Sequence, residues 1–372
     1  MPRHVVIIGA GVMGACTAYY LTKNSTDVEV TLIEKTDIAC GASGKAGGFL
    51  AFDWNDGADI GELSRKSFEL HAELAQELGG EKFGYRPVTA YSVLIQAGKA
   101  GGKRINEVDW LLDENVRTVE LLGTKKTAAQ VHPGLFTRHL LEVAQKTGRV
   151  KIECGQGVSE LIYKNKTVTG VILEDRREIK ADSVVVCMGP WSGQLPLKGR
   201  SKRGQLPITG ARAHSVILQP EYKFTAQVLF TAVTEGKKSH EPEVYPRPDG
   251  TVYLCGATDN EPLPASAANV PVDPAATTLL QNLAGKISLQ LSTDNATLLT
   301  AQACYLPISR DNTPLIGAHP AYDNLYIATG HSCWGILNAP ATGLMMAELL
   351  VDGKITCLSP KTAKAVDPKD RC

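Results

Sequence analysis

An α/β fold, with one parallel sheet assembled from distant stretches and a second sheet that is largely antiparallel, is what this 372-residue sequence predicts. Three observations carry that expectation. The chain opens on a β-branched run, His4-Val5-Val6-Ile7-Ile8, which enters a glycine turn and then a helix-patterned stretch. Two more short apolar runs of the same kind, 183–187 and 325–328, stand far downstream. Stretches at 157–180 and 213–256 instead show strand patterning broken by turns. A strand buried on both faces of a parallel sheet reads as a continuous apolar run, so the three runs belong together and the intervening stretches form a separate, largely antiparallel unit.

Taken in order, residues 4–8, Ala15–Thr22 and Val28–Glu34 make a β-α-β unit whose second strand ends on an acid. Segments 61–80 and 106–123 are expected to be helical, the first with Leu63, Phe68, Leu70, Leu74 and Leu78 on one stripe. Tyr91–Ile95 reads as a strand between them. A meander over 157–163, 168–174 and 178–180 leads into the run at 183–187, and the Asp249-Gly250 turn precedes a strand at 253–255. Residues 260–275 are rich in Pro and Ala without a period and read as a loop. The run Leu325–Ala328 meets Gly330 and then a helix from about Ala339 to Val351, with Asn338 as its cap and Pro340 in its first turn. The expected division is a discontinuous Rossmann-like nucleotide-binding domain (1–52, 128–205 and 300–360) and an antiparallel-sheet substrate domain (53–127 and 206–299).

Composition narrows the partners. With 39 basic and 39 acidic residues the formal net charge is zero, which argues against nucleic acid or an anionic membrane surface. No apolar run reaches the roughly 18 residues of a membrane span. Nine cysteines without zinc-like pairs read as thiols in a reducing compartment. The sequons at Asn24, Asn165 and Asn295 come without a leader pattern, so a cytoplasmic protein is expected.

Gly9-x-Gly11-x-x-Gly14 lies between strand and helix, where a dinucleotide fingerprint belongs. Gly9 makes the turn, Gly11 admits a pyrophosphate, and Gly14 lets helix pack on strand. Val12 and Met13, inside the fingerprint, are cofactor-binding candidates with the glycines, and the N-terminus of the helix that follows offers free N–H groups to phosphates. Glu34 closes the second strand, beside Lys35, where a carboxylate can accept both ribose hydroxyls. FAD and NAD share this fingerprint. The small, flexible run Ala42-Ser43-Gly44-Lys45-Ala46-Gly47-Gly48 suits backbone contact with a flat ring and a second phosphate; a plain surface loop is the alternative. The segment Gly330-His331-Ser332-Cys333-Trp334-Gly335-Ile336 joins the last sheet strand to a helix. Its N–H groups could stabilise charge on a reduced flavin, though an ordinary strand-to-helix connection has a similar cap.

Together these residues resemble the D-amino-acid oxidase/glycine oxidase superfamily of FAD-dependent oxidoreductases, over nearly the whole chain. The resemblance extends through Val184–Trp191, Tyr245–Gly256, Asp311–Gly317 and Gly330–Gly343. The runs Gly210–Ser215 and His331–Asn338 are similar to an uncharacterised eukaryotic branch that includes a fungal oxidoreductase associated with late-endosome-to-Golgi traffic. The resemblance implies an FAD, with Val158, Gly189 and Trp191 joining the residues above around it. It further implies a small-molecule substrate, a C–N bond of an amine or amino-acid-like compound oxidised by hydride transfer to flavin N5, and O2 or another electron acceptor. His331, Trp334 and Arg212 are the catalytic candidates. The alternative is an FAD-bearing protein with a structural or trafficking role, which would bring late-endosome association.

The sequence departs from the family at the substrate. Its amino-acid oxidases place an arginine where Leu306 precedes Pro307, and its glycine oxidases place one where Cys333 stands. Neither leucine nor a thiol can replace a bidentate guanidinium, which discounts a simple α-amino acid. Arg212 or Arg247 could substitute, although Arg247 sits in a proline-flanked turn and reads as structural. Cys304 stands where sarcosine-oxidase-like relatives carry the cysteine bonded to the flavin 8-methyl group. Covalent attachment would need a nearby cation to lower the thiol's pKa, and Lys45 is the one nominated. Against that branch, the Tyr253-Leu254 strand carries no lysine of the kind its members use to activate oxygen.

Overall fold

The computed structural model describes residues 2–96, 102–198 and 205–372. The expected domain segment 128–205 therefore includes residues 199–204, which lie outside the described ones. β1 (Arg3–Ile8), α1 (Val12–Asn24) and β2 (Val28–Glu34) form the opening unit, with β1 and β2 parallel. On its other side β1 pairs in parallel with Ser183–Val186, which pairs in parallel with Leu325–Thr329. Val150–Cys154 extends the sheet beyond β2, and Leu315–Ala318 closes the opposite edge as the one antiparallel strand. The three continuous apolar runs are thus neighbours, and Val5, Val6, Ile7, Val184, Val185, Val186 and Ile327 are wholly enclosed.

The second large sheet has eight strands, including Ala296–Ser309, Ile208–Pro220, Val252–Asp259, Glu243–Pro246, Gln227–Glu235 and Thr89–Gln96. It is antiparallel except where Gln227–Glu235 runs parallel to Thr89–Gln96. The meander 158–180 and a small sheet built from Phe49–Ala51, Arg86–Pro87 and Ala128–Gln130 complete the β structure.

Three expectations are corrected. Residues 106–123 are not helical: Val116–Gly123 is a strand, paired with Thr89–Gln96, because its β-branched Val116, Thr118 and Val119 suit a pleated surface. Helices over Pro133–Gln145 and Pro274–Ile287 were not anticipated, although each opens on a proline behind a capping side chain, His132 and Asp273. The last helix begins at Gly335 rather than 339 and carries Pro340 inside it. Asn338 is buried and caps nothing; its Oδ1 accepts from Ser64 Oγ at 2.9 Å.

Proline in a helix interior strands the carbonyl four residues earlier, at a cost of about 3 kcal/mol if nothing replaces the bond. The helix Gly61–Leu78 supplies the replacement. His71 Nε2 lies 2.9 Å from Ile336 O, and Ser67 Oγ accepts from the Ala341 N–H at 3.0 Å. On another face Gly343 meets α1 so closely that an added Cβ would lie 2.6 Å from the Cys16 Cβ. Ser332–Asp352 is apolar and long enough to cross a membrane by length and composition, but 67% of its apolar window is buried by these neighbours.

Candidate active site

A cavity of about 670 Å³ opens between the carboxyl ends of the parallel strands and one face of the eight-stranded sheet, within the ordinary range of small-molecule sites. Its parallel-sheet side starts at the glycine turn. Gly9 has φ +108°, and a Cβ there would lie 2.4 Å from Cys187 O. A Cβ on Gly14 would lie 2.1 Å from Gly9 O, so Gly14 serves the packing of α1 on β1 and does not reach the cavity wall. Gly11, Val12 and Met13 do line it. Ser43 Oγ accepts from the Val12 N–H at 2.9 Å, which ties the second loop to the start of α1.

Glu34 is held at the wall by its own backbone surroundings. Its Oε2 accepts from the Ala10 N–H at 2.9 Å, and its Oε1 from the Thr36 N–H at 2.9 Å and the Thr36 hydroxyl at 3.0 Å. Lys35, also on the wall, is paired with Glu174 at 2.7 Å. Val158 and Gly189 line the same side; a Cβ on Gly189 would meet nothing within 4 Å, so the chain leaves space there. The Trp191 ring is pinned by its Nε1–H, which donates to Pro264 O at 2.7 Å.

The second loop divides. Ala42, Ser43, Ala46, Gly47 and Gly48 reach the cavity, with 42–45 forming a single helical turn. Gly44 faces Ala39 O instead, and Lys45 Nζ donates to Ala303 O at 3.0 Å. A Cβ on Gly47 would lie 2.5 Å from the Tyr245 ring. Gly330, at φ +83°, lies behind the wall and turns the chain so that His331, Ser332, Cys333, Trp334, Gly335 and Ile336 line it.

His331 is buried, with Nε2 3.0 Å from Thr342 Oγ1 and Nδ1 without a partner among the described residues. Desolvation lowers its imidazole to about 3, so the ring is neutral at physiological pH. Cys304 is on the wall too. Burial pushes its thiol up to about 11 while the Lys45 ammonium pulls the other way, and burial wins. Arg212 is the exception among the catalytic candidates. Its guanidinium faces Asp259 with Nε 2.9 Å from Oδ1 and Nη2 2.8 Å from Oδ2, Nη1 bonds Pro271 O, and the residue does not line the cavity. A cross-strand ion pair has consumed it. Arg247, stacked 5.1 Å from the Tyr253 ring centre, is likewise off the wall.

The opposite wall carries a group of residues that are not among the site candidates read from the sequence, four from the eight-stranded sheet, with Phe49 from the small sheet and Trp54 from the turn after it. Phe49, Trp54, Phe230, Tyr245 and Tyr253 form a connected aromatic cluster on the cavity wall, and Glu243 stands among them. The Tyr245 hydroxyl and the Cys255 thiol both donate to Glu243 Oε2, the latter at 3.6 Å. Burial raises the Glu243 carboxyl above its ordinary value, with those two bonds opposing the rise.

A sequence-family model for FAD-dependent oxidoreductases, DAO, matches residues 4–349. This chain belongs to the DAO family of FAD-dependent oxidoreductases. It is 32% identical to "Putative oxidoreductase C1F5.03c" of Schizosaccharomyces pombe, with 95% of each chain covered. A glycine oxidase of Pseudomonas aeruginosa is 25% identical over 94% of this chain and 95% of its own length. The fold is shared with glycine oxidase from Geobacillus kaustophilus, at a TM-score of 0.79 and 19% identity, covering 98% of both chains. The residues present suit the DAO cofactor. A glycine turn that tolerates no Cβ at Gly9, a helix N-terminus whose cap residue Gly11 has no side chain to cover it and a fixed carboxylate at Glu34 are the cradle that an adenine dinucleotide requires.

Proposed function

We propose that this DAO-family oxidoreductase oxidises a C–N bond of a small amine or amino-acid-like compound. The observation that carries the reading is a cavity that joins the dinucleotide turn to an aromatic pocket, in whose wall the one strongly basic side chain among the described residues, Lys35, is already paired with Glu174. When bound, FAD supplies a hydride acceptor at N5. The chain supplies position: Gly11, Ser43 and the N-terminus of α1 would hold the pyrophosphate, and Glu34 the ribose. Gly47, Gly48 and the segment His331–Ile336 would hold the ring, with the amino end of the last helix facing any negative charge that develops there. His331, lowered to about 3 by burial, is too weak a base to compete for a substrate proton, and hydride transfer from carbon depends on alignment more than on a strong base. The glycine oxidase of Pseudomonas aeruginosa among its relatives supports C–N chemistry.

The FAD-loaded protein should be screened anaerobically against secondary amines, N-methyl compounds, amino acids and hydroxy acids, following flavin absorbance. Bleaching by members of the amine groups is expected. Bleaching by hydroxy acids alone would move the reaction to C–O bonds, and a flavin that none of the panel reduces would favour a structural role for the cofactor.

A further inference from the structure

The large-sheet side of the cavity is built by strand registry. Phe230, Glu243 and Cys255 lie in one row across three adjacent strands, and Tyr245 pairs with Tyr253 in the next row on the same face. Alternation sends Leu229, Val244 and Leu254 to the opposite face, into a separate apolar core. Glu243 is therefore held in an aromatic wall by the sheet itself. Its Oε2 is occupied by Tyr245 and Cys255, whereas Oε1 has no partner among the described residues and is not a sealed atom, which on a cavity-lining residue leaves it facing the cavity.

The charge balance of the wall is one-sided. Among the described residues, Lys35 is the only lysine or arginine that lines the cavity, and Glu174 already neutralises it. Leu306 and Cys333, which stand where the resemblance leads one to expect an arginine, are both on the wall, so the carboxylate-binding positions are present but uncharged. An anionic substrate would find no counter-ion there and would face Glu243. A cation would find a carboxylate oxygen and several ring faces, the pairing that recognises organic ammonium groups.

We infer that the substrate is an organic cation without a carboxylate, a protonated secondary or tertiary amine, whose N–H donates to Glu243 Oε1 while its N-alkyl groups rest on Phe230, Tyr245 and Trp54. This rests on the amine-oxidation reading. Glu243 then takes the ammonium proton, which frees the nitrogen lone pair. The C–H bond next to nitrogen breaks, its hydrogen leaves as hydride with both electrons to the oxidised flavin, and the lone pair closes a C=N bond. Water adds to that iminium and releases a carbonyl compound and the remaining amine.

Two probes of similar shape, neither with a C–H bond on the carbon that carries its charged group, test the anchor without turnover. tert-Butylammonium and pivalate should each be titrated into FAD-loaded protein, following the flavin spectrum and heat. The cation should perturb the spectrum and bind, and pivalate should do neither. Glu243→Gln should weaken the cation about tenfold to a hundredfold, the loss of one charge-assisted hydrogen bond, with flavin content unchanged. Tighter binding of pivalate, or equal cation affinity in Glu243→Gln, would overturn the inference. If the variant lost its flavin, the cation-against-anion comparison in the unaltered protein would decide. Cation binding through Glu243 with no amine able to bleach the flavin would leave the anchor standing and sink the amine-oxidation reading instead.

Discussion

Acidification should destabilise this protein through two histidines that the fold keeps neutral. Burial lowers His71 to about 4 and His331 to about 3, against 6.5 for each when unfolded. A base whose folded pKa is depressed contributes its full stability above the unfolded value and loses it as the pH falls towards the folded one. The window is therefore from pH 6.5 down to about 4 for His71, and down to about 3 for His331. Between pH 7 and 5 each should cost about 2 kcal/mol, about 4 kcal/mol together. His132, also depressed by burial, acts in the same direction, while the raised Glu243 carboxyl opposes it. The decisive quantity is thus a difference between variants. His71→Gln keeps an N–H for Ile336 O and removes the titration. Denaturant unfolding at pH 7 and pH 5, at fixed FAD saturation, should show a loss about 2 kcal/mol smaller in the variant. Equal losses in the two proteins would refute the reasoning.

Other outcomes follow from the same geometry. Gly11→Val would crowd Ser43 Oγ, already 3.0 Å from a Cβ at that position, and would block the pyrophosphate; a folded, colourless protein is expected in place of a yellow one. Acid precipitation of the unaltered protein should leave the flavin in the supernatant, because a thiol raised to about 11 is a poor nucleophile; yellow pellets that turn white in Cys304→Ala would overturn this. Arg212→Ala should lower stability by about 2 kcal/mol through loss of the Asp259 bonds while flavin content and KM hold. A raised KM with unchanged stability would return Arg212 to the substrate.

Much of the nucleotide half was legible because its signals are local. Val5–Ile8, the three glycines and Glu34 fall within one β-α-β unit, where spacing alone brings them together. Residues 106–123 misled because an apolar-polar mixture without a clear period was read as a helix, whereas pairing with Thr89–Gln96 decides its state. The last helix was started late because Pro340 reads as a first-turn residue; His71, far away in sequence, is what lets a helix run through it. Arg212 was misplaced for a related reason: a lone arginine on a strand does not announce the Asp259 opposite it. Glu243 carried a usable signal. The Asp249-Gly250 turn sets the registry, so Tyr245 must face Tyr253 and Glu243 must face Cys255, on the side of the sheet away from Val244.

The central claim, that the one cavity holds both FAD and an oxidisable amine, is tested most directly by anaerobic titration of the FAD-loaded protein with a small N-alkyl amine that carries a C–H bond next to nitrogen. The account predicts that flavin bleaches in proportion to amine consumed, and that each reduced flavin is matched by one carbonyl compound and one dealkylated amine. Flavin that stays oxidised with every such amine, yet bleaches with a hydroxy acid, would contradict it.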